Sequence, residues 1–201
     1  FMPKRIDYYM SLISPWTYLG NDRLTKLASK KNAVINIKPI NLGLIFPETD
    51  GLPFAKRAPA RKAYRMQELR RWQKFLKVPI NFKPAFFPAN EWPAAGMVIS
   101  AKKQGLNGGA LLNGFLTAVW AEDRNIANRE TMLAVASEQN LDGLALLNET
   151  EDNPEIEAIW ETNSKEALAV GVFGAPTYVI DSQLFWGQDR LEFVERALDA
   201  E

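Results

Sequence analysis

Residues 10–24 read MSLISPWTYLGNDRL. The stretch just ahead, RIDYYM at 5–10, alternates apolar and polar residues and is rich in β-formers, which predicts a strand. From Pro15 to about Lys30 the spacing becomes helical, with Trp16, Leu19, Leu24, Leu27 and Ala28 as the expected buried face. Ser14 therefore stands where a strand hands over to a helix. AVINIKPI at 33–40 predicts a second strand, and strand–helix–strand favours a parallel pair joined by a right-handed crossover.

Beyond this unit the texture changes. Residues 41–60, rich in Gly and Pro, read as a loop, and from about Arg57 to residue 170 the pattern reads as helical throughout. In APARKAYRMQELRRWQKFLKVP, Tyr64, Leu69, Trp72, Phe75 and Leu76 fall on helical spacing and Pro79 ends the run. PAAGMVISAKKQG and GALLNGFLTAVWAEDRN predict two more helices, NRETMLAVASEQN another with Asn128 as cap, and LDGLALLN a short one. NPEIEAIWETNSKEALAVG has Asn153 as cap, Pro154 in the first helical position and Gly171 just past the end. Strand texture returns at 176, where PTYVI and QLFWG flank Asp181-Ser182 as a hairpin. QDRLEFVERALDAE closes the chain as a helix, with Asp189 and Glu192 at capping-box spacing.

The layout is a thioredoxin-like α/β fold: a four-stranded mixed sheet interrupted by a large all-helical inserted subdomain. The expected division is 2–50 with 171–201 for the thioredoxin-like part and 51–170 for the insert. A helical stretch of that length is too long for a loop and must pack as a body of its own. Phe1, ahead of Met2, is read as a tag remnant.

Composition removes most chemistry. The chain has 201 residues, a formal charge of zero, no cysteine and no histidine. There is no thiol nucleophile, disulfide or zinc–thiolate site, and no Ser-His-Asp triad. Asp and Glu do not cluster at a metal-ligand spacing, so no metal is expected. No overall basic field points to nucleic acid, and no apolar run approaches the roughly 20 residues that span a bilayer. With no signal peptide visible, the expected location is the cytoplasm.

In a thioredoxin fold the reactive group lies where the first strand meets the first helix, which here is Ser14-Pro15-Trp16-Thr17. Free N–H groups and the positive end of the helix dipole favour an anion there, and a hydroxyl can donate to it. Equally, Ser followed by Pro is an ordinary helix start, and both readings stand. Gly174-Ala175-Pro176-Thr177 suits a cis turn facing that helix, with the backbone of Ala175 available to an extended peptide; a plain strand-entry proline is the competing reading. Gln188 and Asp189 open the last helix, either as its cap or as partners for a carboxylate and an ammonium.

Taken together, SPWTYLG, ARKAYRMQELRRW, AVWAEDRNI, VFGAPTYV and FWGQDRL resemble the 2-hydroxychromene-2-carboxylate isomerases and their relatives, the kappa-class glutathione transferases, over essentially the whole chain. The resemblance implies glutathione as cofactor and Ser14 as the hydroxyl supporting its thiolate. It implies Ala175 and Pro176 for the cysteinyl part and Gln188 and Asp189 for the γ-glutamyl headgroup. Arg61, or Lys62 beside it, and Asn90 are implied as substrate contacts, and Tyr64 as packing. The implied reaction interconverts 2-hydroxychromene-2-carboxylate and trans-o-hydroxybenzylidenepyruvate by reversible thiolate addition, in a homodimer. Leu52 stands where kappa-class members carry an asparagine that touches glutathione, which fits the bacterial isomerase branch better. A kappa-like transferase or peroxidase acting on other electrophiles, and a non-catalytic glutathione-binding module, are the alternatives.

Overall fold

A computed structural model describes residues 2–200; Phe1, read above as a tag remnant, and Glu201 lie outside the described residues. The chain runs β1 (Arg5–Met10), α1 (Pro15–Lys30), β2 (Val34–Pro39), α2 (Leu42–Glu48), α3 (Pro59–Leu76), α4 (Trp92–Lys103), α5 (Gly108–Trp120), α6 (Arg129–Glu138), α7 (Gly143–Asp152), α8 (Pro154–Val170), β3 (Thr177–Ile180), β4 (Gln183–Trp186) and α9 (Leu191–Asp199). Single 3-10 turns occupy Phe54–Lys56 and Gln188–Arg190. The sheet order is β2-β1-β3-β4, with β1 parallel to β2 and antiparallel to β3, and β3 antiparallel to β4. Asp181 and Ser182 both take positive φ, 47° and 67°, as a two-residue hairpin of the primed kind requires.

β1 is central and its alternation divides two cores. Ile6, Tyr8 and Met10 join α1 and the insert's Met97, Leu112, Phe115 and Leu147 in one cluster. Tyr9 faces the other way, against Ile40, Ile45, Ala167, Val172 and Val179. Each fully buried large side chain contributes about 1.5–3 kcal/mol, so β1 is among the most strongly held segments. α8 covers the second face of the sheet: Asn163 donates to the Pro39 carbonyl at 3.1 Å, and the Asn41 N–H donates to Ser164 Oγ at 2.9 Å. The sheet and the helical segment thus share both cores.

The structure corrects several local expectations. Residues 42–48 form α2 rather than loop, because Asn41 caps it by accepting the Gly43 N–H and Ile45 is fully buried. The helical texture reaches Val170 but is interrupted: α3 stops at Leu76, with Lys77 left-handed at φ 55° before Pro79 is reached, and neither helix nor strand occupies 77–91. Of the apolar positions on helical spacing in α3, only Leu69 is buried; Tyr64 and Phe75 are exposed. Trp16 and Leu27 on α1 are half-buried. The capping box of the last helix is absent, since α9 has Arg190 at its cap position with no side-chain bond and Asp189 lies in the 3-10 turn before it.

One close approach fixes the site. A Cβ on Gly20, in the middle of α1, would lie 2.7 Å from Gln188 Cβ and 2.8 Å from the Tyr178 hydroxyl. Gly-to-Ala inside a helix ordinarily gains about 0.5–1 kcal/mol. Here overpacking reverses the sign: Gly20→Ala is expected to lower unfolding free energy in urea by about 1–3 kcal/mol. An unchanged or raised denaturation midpoint would show that α1 and the Gln188 turn are not in this contact.

Candidate active site

The β1–α1 loop delivers Ser14 in an extended conformation, φ −95° and ψ 118°, and the helix begins at Pro15. The Thr17 N–H donates to Ser14 Oγ at 3.2 Å, and Ser14 Oγ donates to the Ala175 carbonyl at 3.0 Å. The hydroxyl therefore caps its own helix and reaches the loop before β3 at once. Pro15 has no N–H and the Thr17 N–H is taken, so Trp16 carries the free first-turn donor. The Ala175–Pro176 bond is cis. The Ala175 carbonyl, one of the two backbone groups expected to be open, is held by Ser14.

The same path continues to the last helix. Pro176 O accepts the Gly187 N–H at 2.9 Å, and Gly187, at φ 96°, turns the chain into Gln188. The structure thus brings Ser14, Ala175, Pro176, Gln188 and Asp189 to one end of the sheet. Gln188 is 2% exposed and accepts from the Arg23 guanidinium, so its side chain faces inward, while Asp189 is exposed. Arg23, on α1, was not singled out from sequence. It lies over the Trp72 ring at 5.3 Å, and its buried Nε has no hydrogen-bond partner. Burial lowers its pKa while Tyr178 and Asp189 raise it, so a guanidinium and the Asp189 carboxylate sit as neighbours.

Arg61, Lys62 and Asn90 fall elsewhere. Lys62 donates to the Ala55 carbonyl at 2.8 Å and lies over the Phe54 ring, and Asn90, exposed, accepts the Trp92 N–H ahead of α4. Arg61 and Arg65, four residues apart, share one side of α3, and Arg57 precedes the helix in extended backbone. Arg61 lowers the pKa of Arg57, and burial with Arg57 nearby lowers Arg65 to about 10. The Arg65 guanidinium lies 4.4 Å from the Phe54 ring centre and 5.6 Å from that of Phe87. Beside it is a cavity of about 280 Å³ walled by Phe54, Met66, Phe82, Phe87 and Trp120. Ser14 is not among its lining residues, but the Trp120 Nε1–H donates to the carbonyl of Leu12, two residues earlier, at 3.2 Å.

Glu91, also missed from sequence, is fully buried beneath the β1–α1 loop. Ser11 Oγ donates to its Oε1 at 2.8 Å and the Leu12 N–H to its Oε2 at 2.7 Å. Burial pushes its carboxyl up to about 7 against the downward pull of bonds from Ser11, Leu12 and Ile13. Among the described residues, no group of three or more His, Cys, Asp or Glu side chains is disposed to hold a metal, and no helix is long and apolar enough to cross a membrane.

A four-stranded sheet with a hydroxyl at the head of the first helix, a proline turn opposite and a helical cap defines a thioredoxin-like protein of the DsbA type. Residues 5–199 match the family described as DSBA-like thioredoxin domain, and the chain belongs to it. Within that class it is a member of the 2-hydroxychromene-2-carboxylate isomerase family. It is 31% identical to the 2-hydroxychromene-2-carboxylate isomerase of Sphingobium xenophagum, over 98% of this chain and 99% of that protein. A solved 2-hydroxychromene-2-carboxylate isomerase structure superposes with a TM-score of 0.80 at 26% identity, covering 97% of this chain and 94% of that one. Glutathione S-transferase kappa 1 of Caenorhabditis elegans is 36% identical over 45% of this chain and 40% of its own length. The chain is an enzyme of this isomerase and transferase group.

Glu91 gives a stability test. Its carboxyl ionises near 4.5 in the unfolded chain and near 7 in the folded one. The folded state therefore keeps the proton over that interval, and the associated stability is present below 4.5 and lost as pH rises to 7. At about 1.4 kcal/mol per pKa unit the loss is about 3 kcal/mol. Glu91→Gln should flatten the urea-measured stability curve between those pH values; an identical curve for both proteins would exclude an elevated Glu91.

Proposed function

We propose that the protein is a glutathione-dependent isomerase of the 2-hydroxychromene-2-carboxylate type. The observation that carries this is Ser14: a hydroxyl at a helix N-terminus, bonded to the Ala175 carbonyl, in a chain with neither cysteine nor histidine. Such a site can support a thiolate that a bound molecule brings with it, and full-length similarity to isomerases of that name agrees.

The residues present suit glutathione. The Asp189 carboxylate beside the Arg23 guanidinium, whose Nε lacks a partner, matches the ammonium and carboxylate of a γ-glutamyl headgroup. The Ala175 backbone and Pro176 adjoin Ser14, where the cysteinyl portion would lie. Glutathione, held there by Asp189, Arg23 and the Ala175–Pro176 turn, would supply a thiol for reversible addition to the conjugated ring-opened substrate. The protein's share is to turn the Ser14 O–H from the Ala175 carbonyl to the sulfur and to add the helix field. One such charge-assisted bond contributes about 1.5–3 kcal/mol.

The anionic partner fits the other side of the site. Residues 51–90 carry ten Lys or Arg and one acidic residue, Glu68, in a chain of zero formal charge. That segment draws carboxylates toward the cavity where Arg65 lies among aromatic rings. The pairing of aromatic walls with a cation favours the isomerase substrate over a neutral electrophile of the transferase kind.

Turnover of the chromene carboxylate should rise saturably with glutathione and vanish in its absence. Ser14→Ala should lower kcat/KM about 10- to 100-fold, with circular dichroism confirming that loss of the cap, about 1 kcal/mol, leaves the fold intact. Undiminished rates in the variant, or turnover without glutathione, would defeat the proposal. Faster reaction with an aryl halide than with the chromene carboxylate would favour the transferase alternative.

A further inference from the structure

Glu91 has no part in the reaction as derived above, yet it is the acidic side chain joined most directly to the loop that carries Ser14. Its two oxygens are divided between Ser11 Oγ and the Leu12 N–H, and the Ile13 N–H is a further donor to it. The Leu12 peptide is gripped from its other end by the Trp120 indole, and the Ser14 N–H donates to the Ser11 carbonyl at 3.2 Å. The loop from 11 to 14 is thus fastened residue by residue, and the insert supplies both fasteners.

We propose that Glu91 is a positioning residue for the glutathione-dependent reaction, holding residues 11–13 so that Ser14 presents its hydroxyl to the sulfur; this rests on the reading of Ser14 given above. The Leu12 N–H can only donate and is held by one oxygen, while the Ser11 hydroxyl can donate or accept and so keeps the other in either protonation state of the carboxyl. An apolar side chain in its place would leave the Leu12 N–H and the Ser11 hydroxyl without their partner and release the grip. A carboxylate buried without a cation is a costly way merely to fill space, since burial disfavours its charged form. What it gains over an apolar side chain is orientation of three polar groups immediately before the reacting hydroxyl.

The test compares Glu91→Leu and Ser11→Ala with the unaltered protein in steady-state turnover and amide hydrogen exchange. Glu91→Leu should lower kcat about tenfold while KM for glutathione stays within about threefold, because the headgroup contacts at Asp189 are untouched. Exchange should quicken at Leu12 and Ile13 but not within β1 or α4. Ser11→Ala, which leaves a small hydroxyl's gap and folds more safely, should show the same pattern more weakly. Unchanged kcat in both variants sinks the inference while leaving the role of Ser14 intact. So does a uniform rise in exchange along the whole chain with kcat and KM moving together, which marks a purely structural carboxylate. If the unaltered protein shows no saturable dependence on glutathione, the reading of the site fails, and this inference with it.

Discussion

The hydrogen bond from Ser14 Oγ to the Ala175 carbonyl spans 161 residues of sequence, and the geometry that permits it is the central place of β1. β1 pairs on both sides, and its Tyr9 lies opposite Thr177 at the start of β3. The chain leaving β1 toward Ser14 and the chain entering β3 through Ala175 and Pro176 must therefore meet at the same end of the sheet. Burial of Ile6, Tyr8 and Met10 on one face and Tyr9 on the other makes that pairing costly to break. The site is in this sense a by-product of sheet order.

Chemistry at the site is positional rather than intrinsic. With no histidine and no cysteine in the chain, no side chain has an ordinary pKa poised near neutrality or a thiolate of its own. What remains is a hydroxyl, one free N–H at Trp16, a helix field, and charged groups at the rim. Arg23 shows how the fold shapes such groups: Gln188, tucked inward, takes up part of its guanidinium and Trp72 covers its face, leaving Nε without a partner. Gly20 makes this packing possible by letting α1 approach the Gln188 turn.

The helical segment is more than a cover. It joins both cores of the sheet, through Met97, Leu112 and Phe115 on one face and Ala167 on the other. It reaches the β1–α1 loop through Glu91 and Trp120. It also carries a local excess of positive charge on α3 and its flanks, where exposed Tyr64 and Phe75 leave that helix loosely packed. The bonds beneath the β1–α1 loop and the cationic, aromatic cavity at Arg65 come from the same helical stretch.

Local signals made much of this legible in advance. Alternation fixed β1, Ser14-Pro15 the start of α1, Asn153 with Pro154 the start of α8, and Asp181-Ser182 the hairpin, because each depends on neighbours a few residues apart. The α2 helix was masked by its glycine and its proline, and the 77–91 segment by apolar residues that pack against Trp120 rather than along a helix. Arg23, Arg65 and Glu91 carried no motif. Each matters through a partner 22 to 165 residues away: Gln188 for Arg23, Phe87 for Arg65, Ser11 and Leu12 for Glu91. The sequence alone determined the fold class and the place of Ser14, since these rest on periodicity and local motifs, and its resemblance to known isomerases pointed to the family. Only the tertiary structure decided which charges are buried and what they hold, because burial and long-range hydrogen bonds exist only once the sheet has closed.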